Sequence, residues 1–237
     1  MFARVPGMSN PRCVPLCFLV IWACFWASGA WAQPIHIRYA VSFHGVSVAT
    51  QTITIEREPE RTILATEFDI PDSSPSGLPA QSESLRVTFR ADGTVEQLHS
   101  VRIQDGRRSE VIGEIEEEEF LQLIRTDPDG IETQTVARAD YDFHSLILYG
   151  TAPRDFLPDH RPVRVFCLAD GRIHDCEIRS ISQAETTRER QHIASLQLTW
   201  TCGPHTGRTQ HPDRPDRLPS RITRDTPHGP LVFTLHR

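Results

Sequence analysis

Apolar and polar residues alternate along short stretches of the chain, a pattern typical of β-strands that bury one face. In the clearest stretch the odd-numbered positions are the apolar ones: Ile35, Ile37, Tyr39, Val41 and Phe43. A His44-Gly45 turn then leads into residues 46–55, where the apolar positions change parity near Ala49–Gln51. The pattern therefore predicts a hairpin whose second strand carries a β-bulge.

Turn-forming residues divide most of the remaining chain into segments of similar length. Asp-Gly pairs at 92–93, 105–106 and 170–171 favour tight hairpins. Residues 71–79 and 202–219 are rich in Pro and Gly and are interpreted as loops. The pattern predicts about a dozen short antiparallel strands.

One segment has helical spacing instead. Phe143, Leu146, Ile147 and Gly150 would share a face, so residues 140–150 are predicted to form a short helix of two turns. The predicted fold class is all-β: an antiparallel sheet that forms a curved half-barrel or barrel, with one short helix. Residues 33–237 suffice for a single domain of this kind.

The first 32 residues have the organisation of a secretory signal peptide. Arg4 and Arg12 precede an apolar run at 16–27, and a small-residue site ends at Ala32, before Gln33. We expect cleavage between Ala32 and Gln33 and a location in the bacterial periplasm. An uncleaved anchor helix and a lipoprotein attached at Cys24 remain as alternatives. No later stretch is long and apolar enough to predict a membrane-spanning helix.

The amino-acid composition excludes several classes of function. The chain has no lysine, and its only asparagine is Asn10, so P-loop phosphate binding and Schiff-base chemistry are excluded. Beyond residue 32 there are 23 arginines and 31 acidic residues, a formal net charge of −8. This acidic balance argues against nucleic acid as a partner.

Several short motifs recur in a known group of proteins. They include Ile37–Gly45, Phe89–Val95, Leu98–Gly106, Tyr141–Tyr149, Leu198–Trp200, Leu218–Ile222 and Gly229–Leu235. The layout resembles a group of exported bacterial proteins made of a β-rich domain of unknown function. The resemblance implies a periplasmic barrel or half-barrel and supplies no catalytic residues. Residues 203–216 depart from it, because the group has a short turn where this chain has a loop rich in His and Pro.

The three cysteines beyond the signal allow one intrachain disulfide at most. A two-residue turn at Asp170-Gly171 would place Cys167 and Cys176 on one face, at a diagonal distance of about 7–8 Å. A longer loop or a small shift of register would bring them opposite each other. We therefore favour a Cys167–Cys176 bridge and a free thiol at Cys202. A bridge involving Cys202 and the absence of a bridge stay open.

Signals for metal binding and catalysis are weak. Cys202, His205 and His211 have the residue types that suit zinc, but a polar loop is the plainer interpretation. The chain has no G-x-S-x-G motif, and a Ser-His-Asp triad assembled only in three dimensions stays an alternative. The sequence predicts no cofactor and favours a protein that is not an enzyme.

A closed sheet would place several aromatic side chains around its interior. These candidate ligand-lining residues are Tyr39, Phe43, Phe89, Phe143 and Trp200. Small barrels either fill this interior or hold one ligand. The resulting hypothesis is a non-catalytic periplasmic binding or envelope-associated protein, with an apolar small molecule or an envelope protein as partner. The alternatives are a periplasmic hydrolase or metal-dependent enzyme that uses the His205/His211 loop, and a structural scaffold.

Overall fold

In the part of the chain that the structure describes, the alternating segments fold into one sheet of 15 strands. The computed structural model describes residues 33–72, 74, 77–116, 119–145, 162–188, 191–212 and 218–236. The predicted signal peptide and its cleavage site after Ala32 lie outside the described residues, apart from Gln33. Residues 33–237 form one compact unit. The strands are β1 Ile35–Phe43, β2 Val46–Arg57, β3 Arg61–Ile70, β4 Gln81–Arg90, β5 Val95–Gln104, β6 Arg107–Glu116, β7 Phe120–Asp127, β8 Gly130–Ala137, β9 Phe143–His144, β10 Val163–Cys167, β11 Arg172–Arg188, β12 Gln191–Cys202, β13 His205–Pro212, β14 Arg221–Thr226 and β15 Gly229–His236.

Strands that are consecutive in sequence are neighbours in the sheet, except for β8 and β9, which lie at its two ends. The order is β8-β7-β6-β5-β4-β3-β2-β1-β15-β14-β13-β12-β11-β10-β9, so the first and last strands pair in the middle of the sheet. All pairs are antiparallel except β9 with β10. Strands β8 and β9 are the two edges, and the sheet is not closed by hydrogen bonds between them. The predicted all-β, mainly antiparallel class is confirmed.

The open sheet curls until one end lies against the other. Phe166 and Leu168, at the end of β10, share a hydrophobic cluster with residues of β4 to β8. The Ser100 hydroxyl of β5 donates a hydrogen bond to the Ala169 carbonyl at 3.0 Å. Strand β10 is buried on both faces, because Val165 belongs to a different cluster, formed with β11 and β12 residues. The curl therefore gives the sheet a barrel-like interior although the described strands β8 and β9 do not pair with each other.

The tight turns follow the residues that favour them. His44 and Gly45 have φ values of 47° and 82°, and Asp105 and Gly106 have 53° and 72°. Positive φ at both central residues is what a two-residue type I′ hairpin requires. The predicted bulge in β2 is present one residue early, at Val48, because Val41 pairs with Ala49 and Ser42 with Ser47.

Two segments differ from the prediction. The predicted loop at 202–219 contains strand β13, which pairs along its whole length with β12. The start of the predicted helix holds a 3₁₀ turn, Arg138–Asp140, followed by strand β9. The rest of that predicted helix, residues 146–150, lies outside the described residues. In both cases backbone pairing with a neighbouring strand determines the conformation.

Candidate functional site

Two adjoining, partly open cavities lie within the curl of the sheet, among the residues that the structure describes, and we call them the lumen. Their volumes are about 100 Å³ and 280 Å³. Both are lined by Glu83, Arg102, Cys167, Ala169 and Arg224. These residues come from β4, β5, the end of β10, the β10–β11 turn and β14, so the lumen exists only because distant parts of the sheet face one another.

The smaller cavity has an apolar wall and a charged end. Ile53, Leu85, Ile222 and Phe233 supply the apolar wall. At the charged end the Glu83 carboxylate accepts two hydrogen bonds from Nη1 of Arg224, at 3.0 and 3.2 Å. The Arg224 guanidinium also lies 5.7 Å from the centroid of the Phe233 ring. The charged and apolar surfaces therefore meet at Arg224.

Arg102 is the second cation at this end. Its Nε is buried 3.3 Å from Oε1 of Glu83, in an ion pair that lacks hydrogen-bond geometry. Burial alone would raise the pKa of Glu83, but the charges of Arg224 and Arg102 outweigh it and lower that pKa. Two guanidinium groups therefore share one carboxylate beside the apolar wall.

A second group of polar side chains lies in and beside the larger cavity. Cys167, Asp170 and His174 come from the β10–β11 hairpin, and His205 begins β13. Their potential ligand atoms all lie within 4.8 Å of one another. The Nε2 atoms of His174 and His205 lie 2.9 and 3.7 Å from Oδ2 of Asp170. We call these four residues the Cys-His-Asp cluster.

The local environment shifts two pKa values in this cluster in opposite directions. Burial opposes the ionisation of Asp170, but hydrogen bonds from His205, His174 and the Arg172 amide lower its pKa to about 2. Burial raises the pKa of the Cys167 thiol to about 12, and the negative charge of Asp170 adds to this effect. At neutral pH the cluster thus holds a carboxylate and a protonated thiol.

The disulfide joins Cys176 to Cys202, so the predicted Cys167–Cys176 bridge and the predicted free thiol at Cys202 are wrong. The Cys176 and Cys202 Cα atoms face each other across β11 and β12 at 4.2 Å. The β10–β11 turn is longer than predicted, so Cys167 pairs with Arg172, and among the described cysteines it is the one outside the disulfide. Cys176 lies four residues beyond Arg172 in β11, so it is about 13 Å along the strand from the position opposite Cys167.

The predicted zinc residues separate in the structure. His205 joins the Cys-His-Asp cluster, whereas Cys202 is used in the disulfide. His211 is buried near the far end of β13, where it pairs with the Thr209 hydroxyl at 3.0 Å. Six residues of extended strand separate His205 from His211 by about 20 Å, too far for one metal ion. His205 and His211 therefore do not form one site.

Sequence reasoning missed three members of the cluster. The missed residues are Cys167, Asp170 and His174. The sequence feature that could have identified the cluster is the spacing of Asp170 and His174 across the Asp170-Gly171 turn. It could not be used without the register of the hairpin, which the four-residue turn decides.

Of the predicted ligand-lining aromatic residues, Trp200 lines the larger cavity. Tyr39 and Phe43 are buried in the cluster around β1 and β15, and the Tyr39 hydroxyl donates to the Pro219 carbonyl at 3.0 Å. Phe89 is packed against the ring of His144, and Phe143 is packed beside the disulfide. These four side chains contribute to packing in the hydrophobic clusters.

The fold and the lumen define a class of barrel-like proteins with an open, curled antiparallel sheet. A crystal structure from Brucella abortus, described as a β-barrel-like protein of domain of unknown function DUF1849, has the same fold. It superposes with a TM-score of 0.53 over 86% of this chain and 96% of that chain, at 11% sequence identity. No protein-family model and no curated protein matches the sequence. The likeness supports a β-rich domain of unknown function and establishes the fold alone.

The described residues contain no helix with the length and hydropathy needed to cross a membrane.

Proposed function

We propose that the protein is an exported, non-catalytic binding protein whose lumen holds a small amphipathic ligand that carries an anionic group. The observation that carries this proposal is the meeting of an apolar wall with the guanidinium groups of Arg102 and Arg224 in the smaller cavity. Ligand sites are typically apolar pockets with a few convergent polar groups. The two adjoining cavities suit a ligand of modest size.

The charges favour an anion over a neutral ligand. Arg224 is already paired with Glu83, but the buried Nε of Arg102 has no hydrogen-bond acceptor within the described structure. A carboxylate on the ligand would pair with the accessible part of the Arg102 guanidinium, since this side chain is 37% exposed. Hydrogen bonds to charged groups are worth more than hydrogen bonds between neutral groups, so this pairing would favour an anionic ligand.

The same charges argue against acid–base catalysis at this point. A general base works best when its pKa is close to the working pH. The two guanidinium groups lower the pKa of Glu83 instead, which keeps the carboxylate ionised. Glu83 is therefore suited to positioning Arg224 rather than to carrying a proton.

Two features support export to the periplasm. The first is the charged, apolar and small-residue organisation of residues 1–32. The second is the Cys176–Cys202 disulfide, which is stable in an oxidising compartment. Cleavage before Gln33 would be tested by the intact mass of protein purified from the periplasm, and a mass that retains residues 1–32 would contradict it.

The binding proposal is tested with matched ligands. Straight-chain carboxylic acids from hexanoate to dodecanoate would each be titrated beside the alcohol of the same length, using calorimetry. Because a hydrogen bond to a charged group is worth about 1.5–3 kcal/mol, we expect at least one acid to bind about 10-fold tighter than its alcohol. Arg102→Gln should remove this preference.

Arg107→Gln is the matched control, because Arg107 pairs with Asp129 on the exposed surface. It should leave the preference for the acid unchanged. If neither the acids nor the alcohols bind to the folded wild-type protein, the proposal is wrong.

A further inference from the structure

The Cys-His-Asp cluster has the side chains of a metal site. It presents one sulfur, two imidazole nitrogens and a carboxylate from two separate hairpins. The cluster borders the lumen, but its four residues are not Glu83, Arg102 or Arg224, so the inference does not depend on the proposed ligand.

The distances in the cluster are close to those that a tetrahedral ion needs. Zinc lies about 2.0–2.3 Å from nitrogen, oxygen and sulfur ligands, which places ligand atoms roughly 3.3–3.8 Å from one another. The potential ligand atoms here are within 4.8 Å of one another, and two of the separations are 2.9 and 3.7 Å. Small side-chain movements would complete the geometry without a change in the backbone.

The chemical types of the four ligand atoms indicate which metal would bind. Calcium and magnesium take oxygen ligands almost exclusively, so a site with sulfur and two imidazoles does not suit them. Zinc accepts Cys, His and Asp together in a tetrahedral arrangement. One thiolate, one carboxylate and two neutral imidazoles would balance the charge of Zn²⁺, which favours binding in this partly buried position.

Covalent and steric constraints hold the two hairpins in register around the cluster. The disulfide joins Cys176, two residues after His174, to Cys202, three residues before His205. Gly203 approaches the His174 ring so closely that an added Cβ would lie 2.5 Å from Nδ1. Its φ of +53° is also one that side chains other than glycine rarely adopt.

From this geometry we infer that Cys167, Asp170, His174 and His205 bind one zinc ion. Four protein ligands make a closed site, which is the arrangement of structural zinc. The ion would link the β10–β11 hairpin to the start of β13, at the wall of the larger cavity.

The test uses the disulfide-bonded protein after removal of metal by a chelator. Zn²⁺ alone is titrated in competition with a chromophoric chelator. We expect one ion per chain. His174→Gln and Cys167→Ser should each weaken binding by roughly 100-fold or more, since even outer-shell partners of zinc ligands are worth 10–100-fold.

His99→Gln is the matched control, because His99 also pairs with a carboxylate, Glu110, at 2.8 Å, but on the surface. It should bind zinc as the wild type does. Equal affinity in wild type and His174→Gln, or a loss confined to His99→Gln, would overturn the inference.

Two measurements on the wild-type protein keep the test decisive if the variants do not fold. Co²⁺ should give the intense visible bands of a tetrahedral site and a thiolate charge-transfer band in the near ultraviolet. Bound Zn²⁺ should protect Cys167 from alkylation, as counted by mass spectrometry. A weak octahedral Co²⁺ spectrum with unprotected Cys167 would show that the site does not exist.

Discussion

At the residue scale, His144 shows how burial changes the chemistry of one side chain. Its ring lies 4.8 Å from the ring of Phe89 on the inner side of the curl. Burial first, and the nearby charge of Arg138 second, lower its pKa to about 4. The folded protein therefore holds His144 neutral at a pH where the unfolded chain would protonate it.

This difference predicts that stability falls as the pH is lowered from about 6.5 towards 4. In that window the unfolded state binds the extra proton, so the free energy of unfolding should decrease by at most about 2 kcal/mol between pH 6.5 and 5. Urea unfolding of wild type and His144→Phe at both pH values measures it. The variant should lose most of this dependence, and an equal slope in both proteins would refute the assignment.

Glu83 acts in a different pH range. Its pKa is lowered from 4.5 in the folded protein. The stability that it contributes is therefore present above about pH 4.5 and lost only as the pH falls further, through the folded pKa. The His144 measurement between pH 6.5 and 5 lies above that range.

Gly207 gives a second prediction at this scale. It lies opposite Trp200, and an added Cβ would come within 2.4 Å of the indole and 2.6 Å of the Thr223 carbonyl oxygen. Gly207→Ala should therefore destabilise the protein by about 1–3 kcal/mol through overpacking. Urea unfolding followed by the fluorescence of Trp200, the only tryptophan beyond residue 32, reports it.

The neighbouring Arg208 is exposed on the other face of β13. Arg208→Ala is the control and should change the free energy of unfolding by less than about 0.5 kcal/mol. If the two variants are equally stable, the close packing of Gly207 against Trp200 is wrong.

At the scale of elements, the β11–β12 hairpin depends on its disulfide. The bridge closes a loop between residues 26 positions apart. Reduction, or replacement of Cys176 and Cys202 by Ala, should lower the free energy of unfolding by about 2–4 kcal/mol.

Urea unfolding with and without reductant makes this measurement, and Cys167→Ser is the control. That variant should respond to reductant as the wild type does, because Cys167 is free. A bridged peptide that contains Cys167 in a non-reducing digest would contradict the pairing.

Local patterns predicted the elements better than they predicted their pairing. The alternation of residues 35–43 was sufficient to predict β1, and the Asp105-Gly106 pair was sufficient to predict the β5–β6 hairpin. Both features are local properties of the chain, namely a period of two and a turn type. Strand β13 was missed because its His, Gly and Pro residues have low strand propensity. Its pairing with both β12 and β14 outweighs that preference.

At the scale of the whole molecule, the overlap of the two ends of the sheet should make the fold one cooperative unit. Phe166 of β10 is fully buried against residues of β4 to β8, far from it in the sheet order. Phe166→Ala should therefore cost about 3–5 kcal/mol, and the amides of β5 to β7 should lose protection together with those of β10.

Hydrogen exchange followed by mass spectrometry measures this coupling. Ile131→Ala is the control, because the Ile131 side chain is 74% exposed on edge strand β8. It should leave the protection pattern unchanged. Loss of protection confined to β9 and β10 after Phe166→Ala would show that the ends fold independently.

The sequence by itself determined the all-β class, the turns at His44-Gly45 and Asp105-Gly106 and the antiparallel pairing of most consecutive strands, since each depends on residues close together in the chain. It also identified His205 as a candidate zinc ligand. Only the tertiary structure decided the Cys176–Cys202 pairing, the ion pairs of Glu83 and the Cys-His-Asp cluster. These depend on hairpin register and on the curl of the sheet, and a shift of one residue in register would turn every side chain of a strand to the opposite face.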